Sequence, residues 1–221
     1  MDINAFAKTI SFGGRRDATT GYMAFSNRVG PSVLVLHDFM GMQPSAREFA
    51  DALRDEGFTV LVPDLYAGAA FQDAQEAHAM GLAGDAEPVM RRALAAAEHL
   101  TTNWHPTLGA VGFSLGADLA TAVAQEVDLE ATVLYYGVGA IAPERWSGAL
   151  QGHFAERDER CAAGQASMVC TALAEHGVET ELHVYPGTRA LFANHYAADY
   201  EEDAEACARG RTIDFLRYHL A

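Results

Sequence analysis

The sequence is short of basic residues, of paired cysteines and of long apolar runs, and each shortage removes a class of function. Against 30 Asp and Glu it carries 15 Lys and Arg, a formal charge of −15. A surface that acidic repels phosphate backbones and anionic lipid heads, which argues against nucleic acid and membrane partners. Patches such as Glu201-Glu202-Asp203 read as a solvated, solubilising face. No apolar run approaches the roughly 20 residues that a bilayer crossing needs. The three cysteines, Cys161, Cys170 and Cys207, are odd in number and lack CxxC spacing, so free thiols in a reducing cytoplasm are expected. The N-terminal MDINAFAKTI lacks the basic-then-apolar pattern of a signal peptide, which fits the same compartment. The histidines are scattered, with no HxxxH or carboxylate–histidine cluster at zinc-ligand spacing, and neither a metal nor a cofactor is implied.

What is present is half hydrophobic and a fifth charged, the balance of a globular chain, and 221 residues fit one α/β domain spanning 1–221. Two alternating segments, Lys8–Phe12 and Gly21–Ser26, flank the turn-rich Gly13–Asp17 and predict an antiparallel N-terminal hairpin. PSVLVLHD (31–38) and FTVLVPDLY (58–66) are continuous apolar runs of the kind buried on both faces of a sheet, with a helix over Ser45–Glu56 between them. Alanine-rich helical spacing from Phe71 to Leu100, interrupted at Gly81–Gly84, predicts two helices. Further strands are expected at Leu108–Phe113, Ala131–Tyr136, Ala149–Phe154 and Glu181–Tyr185, the last broken by Pro186-Gly187. Helices are expected at Leu115–Glu126, Asp158–His176 and Ala197–Leu220. This alternation predicts a mostly parallel sheet with right-handed crossovers.

Chemistry concentrates in LGAVGFSLGADLA (108–120). Gly112-Phe113-Ser114-Leu115-Gly116 is a G-x-S-x-G match between a predicted strand and a predicted helix, the context in which it forms a nucleophile elbow. The tight turn strains Ser114 and tolerates only small neighbours, which Gly112 and Gly116 supply. The serine hydroxyl then stands at a helix N-terminus, where the Leu115 N–H is a natural oxyanion donor. A second donor is expected from the loop after the first parallel strand, with the Phe39 N–H as the candidate. Asp38 either orients the serine or substrate, or braces its own loop, and His37 reads as a structural hydrogen-bonding residue. The acid should follow at the end of a later strand; ALQGHFAERDER (149–160) offers Glu156 and Asp158.

These stretches together resemble the dienelactone hydrolase family of α/β-hydrolases. The matching segments are LVLHDFMGM, VLVPDLYAG, VGFSLGADLA, VLYYGVG, GHFAERDER, HVYPGT and RTIDFLRYHL, in the family's order along nearly the whole chain. The resemblance implies an α/β-hydrolase domain with helices on both sheet faces and no large lid, and hydrolysis of a small ester or lactone through an acyl-enzyme. It also implies that the acid is Asp158. The namesakes carry cysteine in the elbow where this chain has Ser114. Arg211 matches one of the arginines with which they hold a substrate carboxylate, although an ion pair with Glu205 or Asp214 would serve it equally. FQDAQEAHAMGLAG (71–84) contains no arginine to match the other. Tyr136 and Phe192 are candidate substrate-lining residues, suggesting an apolar or aromatic ligand; the chain is expected as monomer or homodimer.

The resemblance also places the triad histidine just after a Tyr-Pro-Gly turn and two residues before a phenylalanine, a position this chain fills with Ala190. A methyl group accepts no proton. Three readings compete: an inactive His-to-Ala variant of an active parent, a natural binding protein, or a base relocated to His195 or His37. The intact flanks Gly187-Thr188-Arg189 and Leu191-Phe192 favour the first. An acyltransferase or cyclase built on the same pocket is a further alternative.

Overall fold

The computed structural model describes residues 7–14, 18–25, 30–71, 86–158, 161 and 163–221. Eight strands stand in the order β1-β2-β4-β3-β5-β6-β7-β8. They are β1 (Ala7–Phe12), β2 (Thr19–Ala24), β3 (Ser32–Leu36), β4 (Thr59–Pro63), β5 (Leu108–Phe113), β6 (Ala131–Tyr135), β7 (Ala149–Arg157) and β8 (Thr180–Arg189). Five described helices accompany them: α1 (Pro44–Asp55), α2 (Ala86–Asn103), α3 (Leu115–Val123), α4 (Ala163–Glu175) and α5 (Glu202–His219). The chain divides into two compact units, Met1–Gly109 and Ala110–Ala221, with the boundary inside β5.

In the first unit the expected hairpin forms, β1 pairing antiparallel with β2 from Ala7↔Ala24 to Phe12↔Thr19. β2 runs antiparallel to β4, and β3 parallel to β4. Every residue of β3 and β4 is buried, as their unbroken apolar sequences require. Helix α1 starts on Pro44, whose missing N–H costs nothing at a first helical position, and turns Ala50 and Leu53 inward.

In the second unit β6, β7 and β8 are parallel, with α3 packed on β6, α4 on β7 and β8, and α5 on β6 and β7. A polar network runs through this core. The His153 imidazole on β7, fully buried, meets the Tyr185 hydroxyl at 2.8 Å through Nδ1 and Gln151 Oε1 at 2.9 Å through Nε2. Thr212 Oγ1 on α5 lies 3.1 Å from the same Nε2 and 2.8 Å from the Tyr135 hydroxyl. Burial, reinforced by the nearby His183 and Arg211 charges, holds the His153 pKa well below its ordinary value, so the ring is neutral.

Several boundaries differ from those the sequence predicts. β8 does not break at Pro186-Gly187 but continues to Arg189, because Gly187 adopts φ +76° and its N–H finds an acceptor on β7. β7 correspondingly extends past Phe154 to Arg157. α3 stops at Val123, since Gln125 and Glu126 tighten into bonds to the carbonyls three residues back. α4 begins at Ala163 rather than Asp158, whose carboxylate closes a turn with the Cys161 N–H. α5 begins at Glu202 rather than Ala197, because Asn194 holds the chain in turns through Tyr196 and Ala197. Of the two helices expected across Phe71–Leu100, α2 is the second, and the first lies outside the described residues.

His153→Leu would take the imidazole from the Tyr185 hydroxyl and from Gln151 Oε1, and an unpaired buried polar group costs about 1–3 kcal/mol. The substitution should lower stability by about 2–4 kcal/mol and the thermal midpoint by roughly 5–10 °C, read by calorimetry.

Candidate active site

The G-x-S-x-G stretch forms the elbow that its sequence predicts. Ser114 stands between β5 and α3 at φ 54°, ψ −116°, a conformation that costs a non-glycine residue free energy and persists only where its surroundings impose it. A Cβ on Gly112 would come within 2.3 Å of the Gly116 carbonyl oxygen, and one on Gly137 within 2.4 Å of the Ser114 carbonyl oxygen. The turn is therefore closed against any larger residue at either glycine. It is pinned from β6, where Tyr135 C=O accepts the Ser114 N–H at 2.9 Å, while Ser114 C=O accepts the N–H groups of Ala117 and Asp118. The first turn of α3 thus begins at the serine, and its N–H groups outside the i→i−4 ladder lie where an oxyanion is best stabilised. Ser114 itself is buried to 4 % exposure.

Asp158 follows β7 directly and is 7 % exposed, with Oδ1 accepting the Cys161 N–H at 3.2 Å. The other acidic candidate, Glu156, is exposed and takes the Gly187 N–H at 2.8 Å. β7 and β8 pair Arg157 with Arg189, so the next residues on the two strands are Asp158 and Ala190. His195 is exposed five residues further on, its ring 4.0 Å from that of Tyr196 and 6.1 Å from that of Tyr200.

Beyond β6, Tyr136 adopts φ 40°, held by an N–H bond to the His153 carbonyl. Its ring meets Phe192 edge-on at 5.7 Å and lies 6.2 Å from Phe113; Phe192 in turn lies 4.8 Å from Tyr185. Arg211 donates to the Tyr185 hydroxyl at 3.2 Å and lies over its ring at 5.6 Å. The ion pairs anticipated for it go elsewhere: Glu205 pairs with Arg209, and Asp214 approaches Arg217. Arg211 also lines a groove with Glu179 and Glu181, at the start of β8 and away from its Ala190 end. The Tyr185–His153 connection was missed by sequence reasoning, because aromatic and imidazole side chains at strand spacing read equally as apolar packing.

In the first unit, His37 is 1 % exposed with both ring nitrogens committed: Nδ1 donates to the Asp38 carbonyl at 2.9 Å and Nε2 accepts the Leu65 N–H at 3.1 Å. Burial pushes its pKa down to about 4. A neutral ring locked in one tautomer braces the loop and is not available as a base. Asp38 Oδ1 accepts the Met40 N–H at 2.9 Å, as a brace of its own loop would, and Phe39 beside it is buried. Tyr66 lies edge-on to His37 at 4.9 Å and to Phe71 at 5.7 Å; burial, with Asp38 nearby, raises its phenol pKa strongly. Among the described residues, no three His, Cys, Asp or Glu side chains converge to hold a metal ion, and no helix is long and apolar enough to cross a membrane.

A serine in a strained strand-to-helix turn, on a mixed sheet with this strand order, defines an α/β-hydrolase fold. The family model of the dienelactone hydrolase family matches residues 19–220, and the chain belongs to that family. The carboxymethylenebutenolidase of Pseudomonas putida is 27 % identical over 203 residues, covering 84 % of this chain and 85 % of the relative. Among solved structures, the dienelactone hydrolase from Anabaena variabilis superposes with a TM-score of 0.74 at 19 % identity, covering 97 % and 98 % of the two chains. A dienelactone hydrolase-like promiscuous phosphotriesterase from metagenomic libraries reaches 0.84 at 21 % identity, covering 97 % and 98 %.

The His37 environment makes a prediction about acid. Its pKa is lowered from 6.5 to about 4 in the folded chain, so below pH 6.5 the unfolded chain binds the extra proton first. The stabilisation is complete above pH 6.5 and is lost as pH falls from there to about 4, amounting to about 3 kcal/mol from this residue. Urea unfolding at a series of pH values should show the decline, and NMR titration of the ring should find no protonation near pH 6.

Proposed function

We propose that the chain has the framework of a serine hydrolase that cleaves an ester or lactone of a small, apolar or aromatic substrate through an acyl-enzyme, and that Ala190 stands where an active parent carries histidine. Family membership supports lactone or ester hydrolysis. The observation that carries the serine mechanism is the backbone of Ser114, strained at φ 54° between a strand and a helix. Strain of that kind clusters at functional sites, and here it falls on the serine of a G-x-S-x-G turn between strand and helix.

In the parent, an imidazole at position 190 takes the Ser114 Oγ proton as the oxygen attacks the substrate carbonyl. The tetrahedral oxyanion that forms is met by the Leu115 N–H. Collapse breaks the bond to the leaving oxygen, which receives the proton from the imidazolium, and the acyl group stays on Ser114. Water then repeats the sequence and releases the acid. Asp158 stabilises the imidazolium, a role supported by the pairing of Arg157 with Arg189, the residues directly before Asp158 and position 190. Tyr136 and Phe192 are the proposed apolar contacts for the acyl portion. Arg211 enters the reading only through Tyr185, to which its guanidinium is bonded. Asp38 enters through the loop it braces.

Alanine at position 190 supplies no general base beside Asp158, and serine is essentially un-ionised at neutral pH. The chain should be close to inert. Ala190→His should raise kcat/KM on p-nitrophenyl acetate and simple aryl lactones by about 10³-fold or more. A fluorophosphonate should then label Ser114, with Ser114→Ala abolishing the adduct. An Ala190→His chain that gains neither turnover nor labelling overturns the hydrolase reading.

A further inference from the structure

We propose that Glu156 is a positioning residue, whose carboxylate sets the strand register that brings the triad acid and position 190 together. The inference rests on the serine-hydrolase reading and deepens it.

β7 and β8 start in simple parallel register, Leu150 beside Thr180 and Ala155 beside Tyr185, an offset of 30 residues. The next pair along the strands is Arg157 beside Arg189, an offset of 32. Between those pairs β7 contributes one residue, Glu156, and β8 contributes three, Pro186, Gly187 and Thr188. Two extra residues on one strand form a bulge, which bends that strand and re-aims the residues beyond it. Had the offset stayed at 30, Asp158 would lie beside Thr188, and position 190 would fall about 7 Å further along the strand. With the offset at 32, Asp158 and Ala190 come directly after a paired Arg157 and Arg189. Neighbouring strands lie about 4.8 Å apart, so a carboxylate on one is within reach of an imidazole on the other.

The bulge needs something to hold it, because its backbone has left the ladder. Pro186 has no N–H to offer. The Gly187 N–H, at φ +76°, goes to Glu156 Oε2 at 2.8 Å, so the one residue facing the bulge supplies its missing acceptor. On the other side the buried Thr188 hydroxyl donates to the Tyr185 carbonyl at 2.8 Å. Glu156 is thus the side chain of β7 opposite the inserted segment; its Oε2 takes the Gly187 N–H at 2.8 Å, with the Arg157 Nε further off at 4.0 Å, which makes it a clamp on backbone geometry. It touches no reacting atom.

The test compares Glu156→Ala and Glu156→Gln, each in the Ala190→His chain; glutamine keeps an acceptor oxygen. Glu156→Ala should lower kcat by about 10–100-fold with KM changed less than about threefold, as expected when a catalytic group is displaced by about 1 Å. Glu156→Gln should stay within about threefold of its parent. In ¹⁵N NMR, the imidazole introduced by Ala190→His should titrate above its ordinary value while Asp158 lies beside it, and Glu156→Ala should bring it back towards about 6.5. In the unsubstituted chain, Glu156→Ala should speed amide exchange at Gly187 without changing the thermal midpoint. Unchanged kcat, imidazole titration or Gly187 exchange in Glu156→Ala overturns the proposal. If the Ala190→His chain hydrolyses nothing, the hydrolase reading falls, and the titration and exchange still decide the role of Glu156.

Discussion

The second unit is organised around the close approach of backbone at the β5–α3 junction. Gly112 and Gly116 touch there without side chains, Gly137 closes from the end of β6, and Ser114 is forced into its strained conformation between them. The arrangement is held by bonds that belong to the sheet, with Ser114 N–H on the Tyr135 carbonyl and Tyr136 N–H on the His153 carbonyl. A serine positioned by backbone alone does not depend on rotamers of its neighbours. The cost of its strain is spread over a core of fully buried strands.

Behind that junction lies a second kind of order. His153, Gln151, Tyr185, Thr212 and Tyr135 form a polar network in a region from which water is excluded, joining β6, β7, β8 and α5. The hydrogen bonds have a self-consistent direction: Arg211 donates to Tyr185, Tyr185 to the neutral His153, and His153 to Gln151, whose amide reaches Glu181. Such a network fixes α5 and β8 against β7 in one register, because slipping either strand by a residue would break several buried bonds at once. Arg211, which resemblance alone would send to a substrate, is drawn into this structural role by the phenol beside it.

The acidic surface is the other large-scale feature. Local pairs such as Arg54 with Asp51 and Asp55, Arg145 with Glu126, and Arg209 with Glu205 use several of the few cations, leaving a net negative exterior. A pair as exposed as Arg145 with Glu126 contributes little to stability, whereas the Arg54 side chain is buried beside its carboxylates.

Much of this was readable from the chain. Buried strands announced themselves by unbroken runs such as SVLVL and TVLVP, the hairpin by its alternation, and the elbow by two glycines flanking a serine between strand and helix. These signals are local: each depends on residues within one turn or strand of one another. Ser114, the candidate pair Glu156 and Asp158, and the alanine at position 190 emerged from such stretches and from the family resemblance they composed. What the sequence could not decide was register. Nothing in HVYPGTRALF says that Pro186-Gly187 bulges within a strand instead of ending it, because that depends on an acceptor 31 residues away on β7. The partner of Arg211, the tautomer of His37 and the pairing of Arg157 with Arg189 are likewise facts about distant segments brought side by side. Sequence alone determined the elements and the candidate residues they carry; tertiary structure decided which residues meet, since hydrogen bonds between strands are set by the packing of the whole sheet and not by either strand.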